Sequence, residues 1–107
     1  MDNGQLDMDR ILARVDALYE ENKGEEAKEL MLRSIEEAIE LQDDGARLQL
    51  LNELLGYYRE TSQKEMVYET ASRAISHAKD MGLEDTIPYA TTLLNVATAY
   101  RACGRPQ

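Results

Sequence analysis

The sequence predicts an all-α fold in which antiparallel helices stack as repeats into an α-solenoid. Apolar residues recur at intervals of three and four along most of the chain, which is the spacing of one helix face. In addition, a pattern of two apolar residues, a tyrosine and an arginine recurs 42 positions later in the same order. The first set is Leu51, Leu54, Tyr58 and Arg59, and the second is Leu93, Val96, Tyr100 and Arg101. A helical bundle without repeats is the alternative, but it does not account for this shared interval.

Length and charge restrict the class of protein. The 107 residues are enough for one continuous core. Acidic residues outnumber basic ones by 21 to 12, and the net charge of −9 argues against binding to nucleic acids or to anionic membranes. Residues 1–47 hold 14 acidic and 6 basic residues, whereas residues 48–107 hold 7 and 6. The nearly neutral second half is therefore the better candidate for a contact surface.

Cysteine use and hydropathy indicate the compartment. Cys103 is the single cysteine, so the chain has no internal disulfide. No signal-peptide pattern and no apolar run of about 18 residues is present. We therefore expect a cytoplasmic protein.

The first two helices follow from apolar periodicity. Residues 1–5 are predicted to be a disordered N-terminus. The first helix is predicted from Leu6 to about Glu21, and the second begins near Glu25 after a break at residues 22–24. The first apolar stripe comprises Met8, Ile11, Leu12, Val15, Leu18 and Tyr19. The second comprises Ala27, Leu30, Met31, Ile35, Ala38 and Ile39.

The next turn contains Asp43, Asp44 and Gly45, which we interpret as ending the second helix and capping the third. A calcium loop is the alternative, but further ligands at alternate positions are missing. The third helix is predicted from Ala46 to Thr61.

Capping signals place the remaining helices. Ser62 and Glu65 have the spacing of a capping box, which predicts a fourth helix from Gln63 to Met81 with Gly82 as its left-handed end. Its apolar stripe is Val67, Ala71, Ala74, Ile75 and Ala78. Thr86 is predicted to cap a fifth helix with Pro88 in its first turn, ending near Cys103 and Gly104. The predicted face of that helix is Ala90, Leu93, Leu94, Ala97 and Tyr100.

The recurring residues resemble a tetratricopeptide repeat, in its longer variant of about 40–42 residues. With Leu48 as the first repeat position, Leu51 falls on the large apolar position of the family and Leu54 on its leucine position. Tyr58 falls on the tyrosine position, and Ala74 on the small-residue position of the second helix. The third copy repeats this from Ala90. Leu55, Val67 and Lys79 depart from the family pattern.

The resemblance covers residues 6–104 and implies five helices in a right-handed superhelix. The repeats would span 6–44, 45–83 and a partial 84–104, followed by a tail at 105–107. Because helices of this family come in pairs, we expect the chain to be a fragment of a longer protein. We also expect self-association as a homodimer through the fifth helix. The residues expected to form that contact are Leu93, Leu94, Val96, Ala97 and Tyr100.

Motifs for catalysis, cofactors or metals are not found in the sequence, so we do not expect an enzyme. His77, near the end of the fourth helix, is favoured there by the helix dipole, which predicts a structural role. Cys103 is predicted to fill space rather than to react.

The resemblance also implies a concave groove lined by the first helices of successive repeats. Its predicted peptide-binding residues are Gln49, Asn52, Arg59, Thr91, Asn95, Thr98 and Arg101, with Glu53, Gly56, Glu60, Leu94 and Ala102 beside them. Asparagine amides can bond an extended peptide backbone, and arginine can fork onto a carboxylate. Alternatively, Arg59 and Arg101 pair with neighbouring glutamates. Only Asn95 falls on the clamp by which some family members hold chaperone tails.

The expected function is a protein–protein interaction module, a scaffold or adaptor that binds a peptide or protein segment in this groove. Two alternatives remain open. One is a peptide-sensing regulatory domain of a longer protein, and the other is a self-assembly module. The sequence itself does not identify a partner.

Overall fold

The computed structural model describes residues 5–104 and folds them into five α-helices joined by short turns. The helices are α1 (Met8–Glu20), α2 (Gly24–Leu41), α3 (Asp44–Glu60), α4 (Lys64–Asp80) and α5 (Ile87–Ala102). Residues 5–104 contain no β-strand, so the all-α prediction is confirmed, and the predicted helix ends agree to within about two residues. The predicted tail at 105–107, and all but Gln5 of the predicted disordered N-terminus, lie outside the described residues.

The chain divides into two compact units, and the boundary between them in the sequence falls between Leu50 and Leu51, inside α3. In the first unit, α1 packs against α2. Their buried apolar side chains are Val15, Leu18, Ala27, Met31, Ile35 and Ala38, all from the predicted stripes, and Ser34 of α2 is buried beside them in the sequence. Tyr19 and Ile39 were predicted to belong to the same stripes, but they are 39% and 43% exposed. Each lies next to a fully buried neighbour, Leu18 or Ala38, that occupies the centre of the stripe.

Asp43 caps α3 and also binds the backbone of Leu6, just before α1. Its Oδ1 accepts a hydrogen bond from the Ala46 backbone N–H at 3.2 Å, which satisfies one of the free donors of the first helical turn. Its Oδ2 accepts the Leu6 backbone N–H at 2.8 Å. The capping interpretation of this turn is confirmed for Asp43, whereas Asp44 and Gly45 already lie inside α3.

In the second unit, α4 packs against α5. Val67, Ala71, Ala74 and Ala78 of the predicted α4 stripe are completely buried, and small residues there let the two helix backbones approach closely. The rings of Tyr68 and Tyr100 meet edge to face, with centroids 5.3 Å apart.

The predicted face of α5 is not the side that packs within the second unit, since Leu93 and Leu94 are 41% and 64% exposed. The buried residues of α5 and its C-cap are Thr92, Val96, Ala99 and Cys103. Apolar residues occur around most of the circumference of α5, so their spacing does not single out one face.

Two of the predicted caps differ in the structure. Ser62 has a left-handed backbone with φ of +57°, and α4 begins after Gln63 without a side-chain capping bond, so the capping box is wrong. Thr86 occupies the N-cap position of α5, but its hydroxyl donates to the Leu83 carbonyl at 2.6 Å. Gly82, with φ of +73°, and Pro88, in the first turn of α5, lie as predicted.

Replacing Asp43 by alanine should destabilise the protein. Asp43→Ala removes two hydrogen bonds to backbone donors, and we expect the free energy of unfolding to fall by about 1–2 kcal/mol. Urea denaturation followed by circular dichroism measures this change. Glu40→Ala, at an exposed position of α2, is the matched control and should stay within about 0.5 kcal/mol of the parent. An equal loss in both variants would contradict the capping role.

Replacing Ser62 by glycine should stabilise the protein. The left-handed conformation costs a residue with a Cβ roughly 1–2 kcal/mol, part of which is offset by the greater backbone entropy of glycine in the unfolded chain. We therefore expect Ser62→Gly to raise the free energy of unfolding by about 0.5–1 kcal/mol. Ser76→Gly, at an exposed position in the interior of α4, should lower it by about the same amount. A loss of stability for Ser62→Gly in the same urea titration would be the contrary result.

Candidate functional site

The candidate site is a cavity of about 170 Å³ in the second unit, between α3 and α5. It is lined by Asn52, Glu53, Leu55, Gly56 and Arg59 from α3 and by Asn95 and Ala99 from α5. On α3, Asn52, Gly56 and Arg59 are separated by four and three positions, so they share one face of the helix. We refer to this space as the α3/α5 cavity.

A chain of side-chain hydrogen bonds joins Asn52 and Asn95 in the wall of the α3/α5 cavity to Thr92 behind it. Asn95 Nδ2 donates to Asn52 Oδ1 at 2.9 Å, and Asn52 Nδ2 donates to Thr92 Oγ1 at 3.1 Å. Thr92 is completely buried, so its hydroxyl provides a fixed acceptor. Because the Asn52 amide both accepts and donates, its orientation is determined. We call these three residues the amide relay.

Arg59 provides a positive charge at the α3/α5 cavity. Its Nη2 lies 3.0 Å from Glu60 Oε2, so the pairing with a neighbouring glutamate that we considered as an alternative is present for this arginine. The side chains of Arg59 and Glu60 are 32% and 72% exposed, respectively. Exposed pairs of this kind contribute only about 0–1 kcal/mol. A carboxylate from a partner can therefore compete with Glu60 for the guanidinium.

Gly56 leaves the α3/α5 cavity open. A Cβ added at Gly56 would meet no atom within 4 Å beyond the adjacent backbone of its own helix. The packing of the fold therefore does not require glycine at this position, although glycine in a helix interior costs roughly 0.5–1 kcal/mol relative to alanine. What the missing side chain provides is space beside the amide relay.

The structure brings together three of the seven predicted binding residues, Asn52, Arg59 and Asn95. The other four do not line the α3/α5 cavity. On α5, Thr91 and Arg101 are exposed and Thr98 is half-buried. Gln49 is exposed on the part of α3 that belongs to the first unit.

Sequence reasoning missed Thr92, Leu55 and Ala99. The sequence feature that points to Thr92 is its position in an apolar helix, three residues before Asn95. A buried threonine needs a hydrogen-bond partner, and an asparagine on a neighbouring helix is one.

The residues predicted for self-association differ in their exposure to solvent. Val96 is 6% exposed and belongs to the buried face of α5, so it is not available to a second copy. Ala97 is half-buried, and Tyr100 is half-buried against Tyr68. Only Leu93 and Leu94 of this set present substantial apolar surface to solvent.

His77 and Cys103 are both buried in the second unit, and Cys103 is a free thiol. These positions agree with the structural roles predicted for them. Within residues 5–104, His, Cys, Asp and Glu form no group of three or more suited to a metal ion. In the same range, every helix is too short or too polar to cross a membrane.

A larger cavity of about 330 Å³ lies in the first unit. Its lining residues are Arg14, Leu18, Glu26, Glu29, Leu30 and Arg33. The charges of the two arginines and two glutamates that line this cavity cancel. None of its lining residues was predicted to bind a partner. The α3/α5 cavity is the stronger candidate because the amide relay orients polar groups in its wall.

Comparison of the chain with protein-family models, curated proteins and solved structures finds no match. The resemblance to tetratricopeptide repeats therefore depends on the recurring residues alone.

Replacing Thr92 by valine tests the amide relay. Thr92→Val keeps the shape of the side chain but removes the acceptor of the Asn52 amide, and we expect a loss of about 1–2 kcal/mol in the free energy of unfolding. Thr91→Val makes the same change at the exposed neighbouring position and should have almost no effect. Guanidinium titration of both variants measures the difference. Equal stabilities would show that the relay does not contribute to the fold.

Proposed function

We propose that this chain is a protein–protein interaction module, a tetratricopeptide-like scaffold or adaptor that binds an extended segment of a partner at the α3/α5 cavity. The supporting observation is the amide relay, which holds Asn52 and Asn95 side by side at 2.9 Å in the cavity wall. These two asparagines are 43 positions apart, close to the 42-residue interval of the repeat. In a tetratricopeptide-like array, successive repeats would then each supply one amide to the same wall.

The chemistry of asparagine suits a peptide partner. Each amide carries a donor and an acceptor, the same two functions that a peptide group offers. An extended segment has unpaired backbone N–H and C=O groups, so an ordered pair of asparagines can bond to it without recognising its sequence. Sequence preference then comes from the remainder of the cavity.

The size and charge of the α3/α5 cavity define the preferred feature of that segment. Its volume of about 170 Å³ is below the roughly 300–1,000 Å³ typical of sites for drug-sized molecules, so it accommodates one side chain or a chain terminus. Arg59 can bind a carboxylate with two parallel hydrogen bonds. The proposed ligand is therefore an acidic side chain or the C-terminal carboxylate of an extended peptide.

A cytoplasmic location is part of this proposal. Cys103 is an unpaired, buried thiol, and a reducing compartment keeps such a thiol from oxidation. The right-handed superhelix implied by the resemblance would extend the same groove along further repeats.

Binding can be tested with a displayed library of random peptides that have free C-termini, panned against the immobilised chain. The retained peptides are then synthesised and titrated by fluorescence anisotropy against the parent and three variants. We expect Gly56→Leu to abolish binding by filling the cavity, and Arg59→Ala to weaken it by about 10–100-fold. Arg73→Ala, which removes an exposed arginine from α4, is the matched control and should bind like the parent.

Circular dichroism establishes that each variant keeps its helical structure before binding is measured. Retention of acidic or C-terminal peptides that all variants bind equally would place binding elsewhere on the chain. Failure to enrich any peptide at millimolar affinity would overturn the proposed function.

A further inference from the structure

The exposed side of α5 has the pattern of a helix-pairing seam. Its residues are Ile87, Ala90, Leu94, Ala97 and Arg101, which follow one another at intervals of three and four. Those intervals place apolar residues at the two inward positions of a heptad repeat over two heptads. Ile87 is 81% exposed and Leu94 is 64% exposed, so the seam is not covered within the second unit. We call this set the α5 seam.

Charge is nearly absent from α5, in contrast to the other four helices. Residues 87–102 include no Asp or Glu and one basic residue, Arg101, in a chain of which 31% is charged. A fully solvated helix face gains nothing from exposed isoleucine and leucine, whereas a contact surface excludes charge from its centre. The composition of the α5 seam is therefore that of an interface.

We propose that the α5 seam binds a second copy of the same chain, with the two α5 helices antiparallel about a two-fold axis. The first argument is size complementarity. In an antiparallel pair the two inward positions of the heptad face each other, which sets Ala90 opposite Leu94 and Ala97 opposite Ile87 of the second copy. Each large side chain then meets a small one. By symmetry every such contact forms twice.

The second argument is charge complementarity. The same alignment carries Arg101 past the N-terminal end of the second copy's α5, beside the segment that precedes it. That segment contains Glu84 and Asp85, both exposed, and Arg101 is exposed as well. Each Arg101 thus meets two carboxylates of the other copy, and the pairing occurs at both ends of the interface. A parallel pair would instead place Arg101 beside Arg101.

Dimerisation leaves the α3/α5 cavity accessible. Asn95 follows Leu94 directly, and consecutive residues of an α-helix are rotated by about 100° around its axis. The amide relay therefore lies on a different side of α5 from the seam. Self-association and peptide binding are separate properties of one helix, so each can be measured in the absence of the other.

Sedimentation equilibrium of the 107-residue chain between about 5 and 500 µM tests the proposal. We expect a monomer–dimer equilibrium for the parent. Leu94→Glu should raise the dimer dissociation constant by ten-fold or more, since it inserts a charge at the centre of the seam. Ser72→Glu, which adds the same charge at an exposed position of α4, should leave that constant unchanged.

The orientation is tested by exchanging charges. Arg101→Glu should weaken the dimer, and Arg101→Glu combined with Glu84→Arg and Asp85→Arg should restore it. A parent chain that is monomeric at 500 µM, or a dimer that Leu94→Glu does not weaken, would overturn the proposal. Failure of the exchanged variant to recover would overturn the antiparallel arrangement, even with Leu94 in the interface. Because all five substituted positions are exposed, circular dichroism should show unchanged helix content in every variant.

Discussion

The rotation of α5 about its own axis determines both proposed contact surfaces of the second unit. With Thr92, Val96, Ala99 and Cys103 turned inward, Asn95 and Ala99 face the α3/α5 cavity and Leu94 faces solvent. A rotation of α5 by one residue, about 100°, would separate the asparagines and bury part of the seam. The packing of this one helix is therefore the constraint on which the proposed binding site and the proposed dimer both depend.

Hydrophobic burial alone distinguishes poorly between rotations of a helix that is apolar on several sides. In α5, Leu93 and Leu94 would each bury more apolar area than Thr92 or Ala99. The buried hydroxyl of Thr92 favours one rotation of α5 over the others. Only the observed rotation supplies the Asn52 amide with its acceptor at 3.1 Å. The cost of exposing the leucines is offset by the close approach of small residues and by these hydrogen bonds. Polar groups, rather than the largest apolar ones, thus fix the position of the helix.

The contrast between a charged and an apolar side of each helix explains how much of the structure the sequence could predict. In α2 and α4 charged residues occupy one side, so the apolar spacing identified Met31, Ile35, Val67 and Ala74 as core residues. In α5 that contrast is absent, so the spacing did not identify Thr92, Val96 and Ala99 as its buried residues. That Asn52, Arg59 and Asn95 line one space was predicted, because the resemblance to tetratricopeptide repeats assigns α3 and α5 to the same groove. Thr92 could not be found this way, since its role depends on a contact between helices. The capping box failed because Ser62 is needed in a left-handed conformation that ends α3.

Asp43 joins two segments that are far apart in sequence, since one carboxylate serves both the Leu6 amide and the first turn of α3. Opening of the turn between α2 and α3 therefore releases Leu6 at the same time. The two segments form one cooperative element of local unfolding, although 37 positions separate Leu6 from Asp43. Hydrogen exchange at the Leu6 and Ala46 amides would then report the same opening event. The turn between α2 and α3 and the backbone of Leu6, which are far apart in the sequence, therefore depend on the same carboxylate.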